Sequence, residues 1–273
     1  MNKMITPLPP GAENNGLCSR AASGDAVSEQ GTTTQISWQL PEEVPVAIQI
    51  NSEPFTVMMA TPADLSDFAV GFTLAEGLIA SPSKIKQVLQ MPVEGGLTID
   101  IAVPEDAVDT SRLARRTIEG RSGCGLCGVE DIASAVRPLK PVERHWAPDT
   151  AAILKAARDL PRYQPMNRIN RTVHGAAWVT RDGVIAFARE DVGRHNALDK
   201  LIGALARAGG QRADGFVLMT SRCSYELVQK CVTAGIGALV TVSAPTALAY
   251  DLAKKSNLYL ASLGAGGIVV FNS

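Results

Sequence analysis

Apolar and polar residues alternate over 44–50 and again over 53–60, with Asn51 and Ser52 between the two runs. A period of two marks a strand with one buried face, and two polar turn residues between such runs predict a hairpin. The period then changes. Leu65, Phe68, Ala69 and Phe72 fall on one face of a helix. Thr61 is its expected cap, Pro62 suits its first position, and Asp64 favours the positive end of its dipole. Gly77 is the expected stop. Residues 97–103 alternate as a strand, while 111–116 and 129–136 read as short helices. Pro138, Pro141 and Pro148 mark 138–148 as a connector, and Asp149 caps a helix to about residue 160.

The second half is more regular. Strands are expected at 174–180 and 184–189 about the turn Arg181-Asp182-Gly183. A helix at 195–208 carries Leu198, Leu201, Ile202 and Leu205 on one face. Short apolar strands at 216–220, 239–242, 258–262 and 268–271 alternate with helices at 224–233 and 245–255. Such alternation predicts an α/β fold of three layers with mostly parallel pairing. The expected organisation is a disordered tail at 1–31, a smaller N-terminal α+β region at 32–137, the connector, and an α/β domain at 149–273.

Composition narrows the function. The chain has 273 residues, 46% hydrophobic and 19% charged. At that length folding buries roughly three quarters of the unfolded surface, so neither disulfides nor a metal is needed to hold the fold. A net charge of -1 argues against an electrostatic grip on nucleic acid or an anionic membrane. No apolar run approaches the roughly 18 residues of a membrane span. Residues 1–30 lack the apolar core of a signal peptide. Five cysteines are an odd number and form no secreted disulfide framework, so a reducing cytoplasm is the expected compartment.

Two of those cysteines stand in Arg121-Ser122-Gly123-Cys124-Gly125-Leu126-Cys127-Gly128. The glycines predict an exposed turning loop. Zinc would need two further ligands, from a second cysteine pair or a histidine pair. Cys18, Cys223 and Cys231 form no second pair at that spacing, and His145, His174 and His195 all lie downstream, so no metal site is expected. A redox dithiol remains open. So does a carrier nucleophile: one thiolate takes sulfur as a persulfide, and the second attacks its inner sulfur to release the outer one. Arg115, Arg116 and Arg121 lie close in sequence and would favour the thiolate.

Three polar loops follow strands and precede helices. Glu190-Asp191-Val192-Gly193-Arg194-His195 joins a strand end to a helix start, where free backbone N–H groups and the dipole make an anion site. Thr220-Ser221-Arg222-Cys223-Ser224 and Ser243-Ala244-Pro245-Thr246 occupy corresponding places. In open α/β sheets such loops gather at the carboxyl edge and form the ligand crevice. Cys223 and Cys231 read as packing residues, and Cys18 as inert.

Several of these motifs together resemble the formate dehydrogenase accessory sulfurtransferase family (FdhD/NarQ). They are Gly-Cys-Gly-Leu-Cys-Gly at 123–128, Glu-Asp-Val-Gly-Arg-His-Asn-Ala-Leu-Asp-Lys at 190–200, Ser221-Arg222 ahead of a helix, and Ser-Ala-Pro-Thr at 243–246. Ala60-Thr61-Pro62-Ala63-Asp64-Leu65, Gly71-Phe72 and Glu76-Gly77 add to the resemblance, which covers roughly residues 40 to 262. It implies a cytoplasmic sulfur carrier that takes persulfide sulfur from a cysteine desulfurase. The sulfur goes to the molybdenum of bis-molybdopterin guanine dinucleotide before that cofactor enters formate dehydrogenase. It implies a homodimer, a C-terminal domain like that of the cytidine deaminases, and Cys124 as the persulfide site with Cys127 assisting. Cofactor contacts are expected from Leu263, Gly264, Ala265, Gly266, Gly267 and Ile268, with Asp191, Arg194, His195, Ser221 and Arg222. The sequence departs from the family in the last loop, where 262–268 holds no arginine. Two other readings stay open here. One is a cofactor-binding chaperone without sulfur chemistry, which would survive loss of Cys124. The other is a thiol–disulfide oxidoreductase cycling a Cys124–Cys127 disulfide.

Overall fold

The computed structural model describes residues 18–113, 139–209, 214–264 and 266–273. It begins with a ribbon. Strand β1 (Ser19–Val27) pairs antiparallel with β2 (Thr33–Pro41) along its whole length. The disordered tail expected through residue 31 is thereby corrected from Ser19 onward. Small and polar residues in β1 hide its partner's alternation of Ile36, Trp38 and Leu40 on one face.

The predicted hairpin follows as β3 (Val44–Ile50) and β4 (Glu53–Ala60). Asn51 and Ser52 take φ of 53° and 67°, the left-handed pair that matches the twist of two-residue hairpins. Helix α1 (Leu65–Ala75) starts later than Thr61 would allow, with Asp64 as its first flanking residue. Thr61 is occupied elsewhere: its hydroxyl accepts from Val192 N–H at 3.1 Å, and its own N–H donates to Asp191 at 3.0 Å. Gly77, with φ of 68°, ends the turn beyond α1 as expected. Strand β5 (Gln87–Val93), unforeseen because Pro92 interrupts its pattern, and β6 (Gly96–Ala102) complete a four-stranded sheet in the order β4-β3-β6-β5. Phe68 and Phe72 of α1 cover one face of it, over Ile48, Ile99 and Ile101. The helix expected at 111–116 is seen as α2 (Thr110–Leu113). The helix expected at 129–136 and the cysteine loop lie outside the described residues.

Residues 139–149 run without regular structure. Then come α3 (Thr150–Asp159), α4 (Pro165–Asn170), β7 (His174–Thr180), β8 (Ile185–Asp191) and α5 (Arg194–Arg207). The chain closes with β9 (Gly215–Met219), α6 (Tyr225–Thr233), β10 (Ala238–Thr241), α7 (Ala247–Lys255), β11 (Tyr259–Gly264) and β12 (Gly267–Asn272). Six strands form one sheet, ordered β12-β11-β10-β9-β7-β8. Mostly parallel pairing was expected, but in this sheet the described strands β9, β10 and β11 alone pair in parallel. Short turns join β7 to β8 and β11 to β12, and a short connection forces antiparallel pairing.

Alternate residues of each strand enter different cores, as a period of two requires. Trp178, Val217, Leu239 and Leu260 pack under the helices α1, α5, α6 and α7. Ala177, Phe216, Val240 and Ala261 pack on the other face with Ile153 and Ala156 of α3. Helices on both faces give this mixed α/β protein three layers in its second half. Helices α1 and α5 cross backbone to backbone. A Cβ at Gly71 would collide with the carbonyl of Asp199, and one at Gly203 with that of Asp67. This crossing fuses the core of the N-terminal sheet with that of the large sheet, and it sets residues 61–64 against 189–196.

Candidate functional site

Strand β8 runs antiparallel to β7, and β7 runs antiparallel to β9. The carboxyl ends of β8, β9, β10 and β11 therefore share one edge with the amino ends of β7 and β12. Helices α5, α6 and α7 all begin there, after short loops. Each helix start leaves backbone N–H groups without helical partners and carries a positive partial charge. The loops are stitched together. Thr246 N–H donates to the Cys223 carbonyl at 3.0 Å, and Val242 N–H to Met219 at 2.9 Å. The Ser262 hydroxyl donates to the Ser243 carbonyl at 3.0 Å.

The run 189–200 divides in two. Its carboxylates and Lys200 are buried and matched. Asp191 accepts from Lys200 Nζ at 2.6 Å, Gly193 N–H at 2.8 Å and Asn196 Nδ2 at 3.0 Å, besides Thr61 N–H. Every acceptor site that matters is taken, so Asp191 shapes the loop and offers nothing to a ligand. Glu190 accepts the N–H groups of Met166 and Asn167 at 2.8 and 2.9 Å, at the start of α4. Burial pushes its carboxyl up to about 7, against the pull of those donors. Asp199 and Glu76 share Lys230 Nζ at 2.9 and 3.0 Å. Burial takes Asp199 up to about 6. Arg189 is held by Asp67 at 2.7 Å. None of this was read from sequence, where the same charges looked available. Several of the partners are far off in the chain, from Met166 with Glu190, 24 residues apart, to Glu76 with Lys230, 154 apart, so only the fold reveals them.

Arg194 and His195 are arranged differently. His195 Nε2 lies 3.3 Å from the Ser224 hydroxyl and 3.7 Å from Glu226, bridging the first turns of α5 and α6. Burial would raise the Glu226 carboxyl, but hydrogen bonds from His195 and Ser224 bring it down to about 2. Sequence reading missed Glu226; an acid in the first turn after a strand-end loop was its only signal. His174, at the start of β7, is lowered by burial and then by the charges of Arg194 and His195. Arg222 is exposed, while Ser221 is buried and donates to the Arg222 carbonyl at 3.0 Å. Cys223 is buried, its thiol pushed up to about 12, which leaves no thiolate at neutral pH. Cys231 is buried as well, and Cys18 packs with Ala63, Met166 and Val173.

The last loop is a hairpin tip. Leu263 pairs with Ile268, and Gly264 with Gly267. Both apolar residues pack on the α3-side core. A Cβ at Gly266 or Gly267 would meet nothing within 4 Å, so a ligand has open access to bare backbone. The structure thus brings Asp191, Arg194, His195, Ser221, Arg222, Leu263, Gly264, Gly266, Gly267 and Ile268 to one edge. Cys124, Cys127 and Ala265 lie outside the described residues. Among the described residues, no three His, Cys, Asp or Glu side chains are placed to hold a metal ion, and no helix is long and apolar enough to cross a membrane.

Fold and edge define a mixed α/β protein whose helix starts gather at one edge of its large sheet. A family model described as the FdhD/NarQ family matches residues 41–269, and the chain belongs to that family. It is 45% identical over 227 residues to the sulfur carrier protein FdhD of Chromobacterium violaceum, covering 82% of this chain and 84% of that one. It is 41% identical over 263 residues to the sulfur carrier protein FdhD of Cupriavidus necator, covering 92% and 91%. A solved structure, a formate dehydrogenase accessory protein from Desulfotalea psychrophila, is similar with a TM-score of 0.73 over 94% of this chain and 97% of its own. Its 24% identity carries the fold alone.

Proposed function

We propose that this chain is a sulfur carrier serving formate dehydrogenase, with Cys124 as the persulfide site. The Cys124 thiolate attacks the terminal sulfur of a cysteine desulfurase persulfide; the donor cysteine leaves as a thiolate and Cys124 becomes the persulfide. The Cys127 thiolate then attacks the inner sulfur, the Cys124–Cys127 disulfide forms, and hydrosulfide is released to the substrate. A thiol reductant restores the pair. The substrate is the molybdenum of bis-molybdopterin guanine dinucleotide, and its phosphates are received at the strand-end edge. Arg194, His195 and Arg222 supply donors there, and the Gly264–Gly267 tip supplies backbone. Asp191, buried and fully bonded, holds the loop that presents Arg194. In this reading the three-layer domain is the cytidine-deaminase-like arrangement, the protein acts as a homodimer, and its thiols stay reduced in the cytoplasm.

The observation that supports this most is the meeting of three helix starts, two arginines and a bare glycine tip at one edge, in a chain whose relatives are named sulfur carriers. The test is direct. Reduced protein is mixed with a cysteine desulfurase and sulfur-labelled cysteine, and the label is mapped by peptide mass. Added sulfur is expected on the Cys124 peptide and absent after Cys124→Ala. No label at Cys124 sinks the carrier reading and leaves the edge as a cofactor-binding chaperone's. A disulfide that turns over a model substrate without carrying sulfur makes the protein an oxidoreductase.

A further inference from the structure

The β1–β2 ribbon stands outside the region matched by the family model and makes an unusual structure for a folded chain. A two-stranded hairpin alone in water is marginal, and stability ordinarily comes from a third strand or a covering helix. Among the described residues it has no third strand, and only the short helix α4 touches β2. It touches the body at its base, where Asn170 donates to Ser19 at 3.1 Å and Cys18 packs on Met166 and Val173. No described strand pairs with either of its edges.

The ribbon is two-faced. Register places Trp38 opposite Ala22, Ile36 opposite Gly24, and Leu40 opposite Arg20 on one side. Ser23, Asp25, Gln35 and Ser37 fall on the other. Trp38 is 49% exposed and Leu40 38% exposed. The small partners leave the tryptophan ring free to lie flat against something else, and a buried tryptophan is among the commonest anchors of interfaces.

A second apolar face sits on the same chain. The four-stranded sheet turns one side to α1, and no described element covers the other. Register carries Val57, Ala47, Thr98 and Met91 across that outer side in one row. Val57 is 52% exposed and Met91 41%. Flexible methionines let such a surface mould itself to a ring.

We propose that the ribbon is an exchanged arm. In a dimer, the Ile36, Trp38 and Leu40 face of each copy lies on the outer sheet face of the other. Two unlike apolar faces on one chain close upon each other in pairs by two-fold symmetry, and neither is then left over. Size favours a second copy over an unlike partner. Nine residues per strand make a ribbon about 30 Å long, whose face covers on the order of 300 Å². Two reciprocal arms bury about 1,200 Å² in all, the lower bound for a stable interface. A single arm on a different protein buries about half of that, in the range of weak packing contacts. The inference takes the homodimer proposed above and assigns its surfaces.

Sedimentation of the full chain over a micromolar dilution series tests it. The unaltered protein is expected to be a dimer. Trp38→Ser on the arm and Met91→Asp on the sheet should each raise the dissociation constant at least tenfold. Both positions are exposed; unchanged exchange of the β9 and β10 amides confirms that each variant folds. Amides of 19–41 should be protected in the dimer and exchange freely on dilution to monomer. A dimer indifferent to both substitutions overturns the arm, while leaving a homodimer through another surface. Protection of 19–41 that persists in the monomer also overturns it, because the ribbon is then held by its own chain.

Discussion

At the crossing of α1 and α5, Asp67, Asp191, Asp199, Glu76, Arg189, Lys200 and Lys230 are buried and bonded to one another. At the strand-end edge, Arg222 is open to solvent and Arg194 is half-buried. Both regions draw on the stretch from 189 to 200. Taking a charge out of water costs several kcal/mol unless a partner meets it. Inside, therefore, each charge is committed to a neighbour and fixes geometry. At the edge, the exposed Arg222 guanidinium has no described partner and is solvated by water until a ligand arrives. The same residue types thus become frame or grip according to burial alone.

The strongest way to break that comparison is Lys200→Met. Lys200 is fully buried, bonding Asp191 at 2.6 Å and the Thr61 carbonyl at 2.9 Å. The substitution leaves a buried carboxylate without its counter-charge and should cost about 3–5 kcal/mol. Urea unfolding with an unchanged slope would report it. A loss below about 1 kcal/mol would mean that the crossing tolerates open charges after all, and the contrast with the edge would vanish.

The reading from sequence succeeded where one local signal sufficed. Asn51-Ser52 set a hairpin whose strands fall at 44–50 and 53–60. The order of strands and helices after 174 put three loops at one edge. It failed where a distant partner decides. Thr61 looked like a helix cap until Asp191 and Val192, more than a hundred residues on, claimed its backbone and hydroxyl. Asp191 looked like a ligand residue until Lys200, Asn196 and Thr61 filled it. The ribbon was missed for another reason. Serines, alanines and a glycine in β1 mimic a tail, and only pairing with β2 reveals the apolar stripe.

Acidity separates the two regions next. Glu190 belongs to the frame, and its carboxyl sits at about 7 rather than 4.5 because burial disfavours the charge. A raised carboxylate holds its proton in the folded state after the unfolded chain has lost it. Its contribution to stability is full below about pH 4.5 and is lost as pH rises through 7. The span is on the order of 3 kcal/mol. Asp199, at about 6, adds a slope of the same sign. Glu226 belongs to the edge and behaves oppositely: at about 2, its contribution is present above pH 4.5 and lost as pH falls towards 2. Glu190→Gln should flatten the decline of stability between pH 4.5 and 7, leaving the part due to Asp199 and an opposing rise from His174, whose imidazole is lowered by burial. A decline that survives Glu190→Gln in full would place the titrating group elsewhere.

The smallest effect on the fold is expected at the edge, and there it discriminates most. Arg222 is exposed, and its side chain makes no hydrogen bond or ion pair among the described residues. Arg222→Ala should leave the unfolding midpoint within about 0.5 kcal/mol of the unaltered protein, as surface substitutions away from special contacts do. Binding is another matter. A charge-assisted hydrogen bond to a phosphate contributes about 1.5–3 kcal/mol, so affinity for guanosine diphosphate, the probe for the proposed cargo, should fall at least tenfold in a calorimetric titration. The salt dependence of binding should also shrink, because one fewer cation faces the anion. Loss of stability without loss of affinity would move Arg222 from the grip to the frame. Affinity lost with stability kept is what a surface built to receive an anion requires.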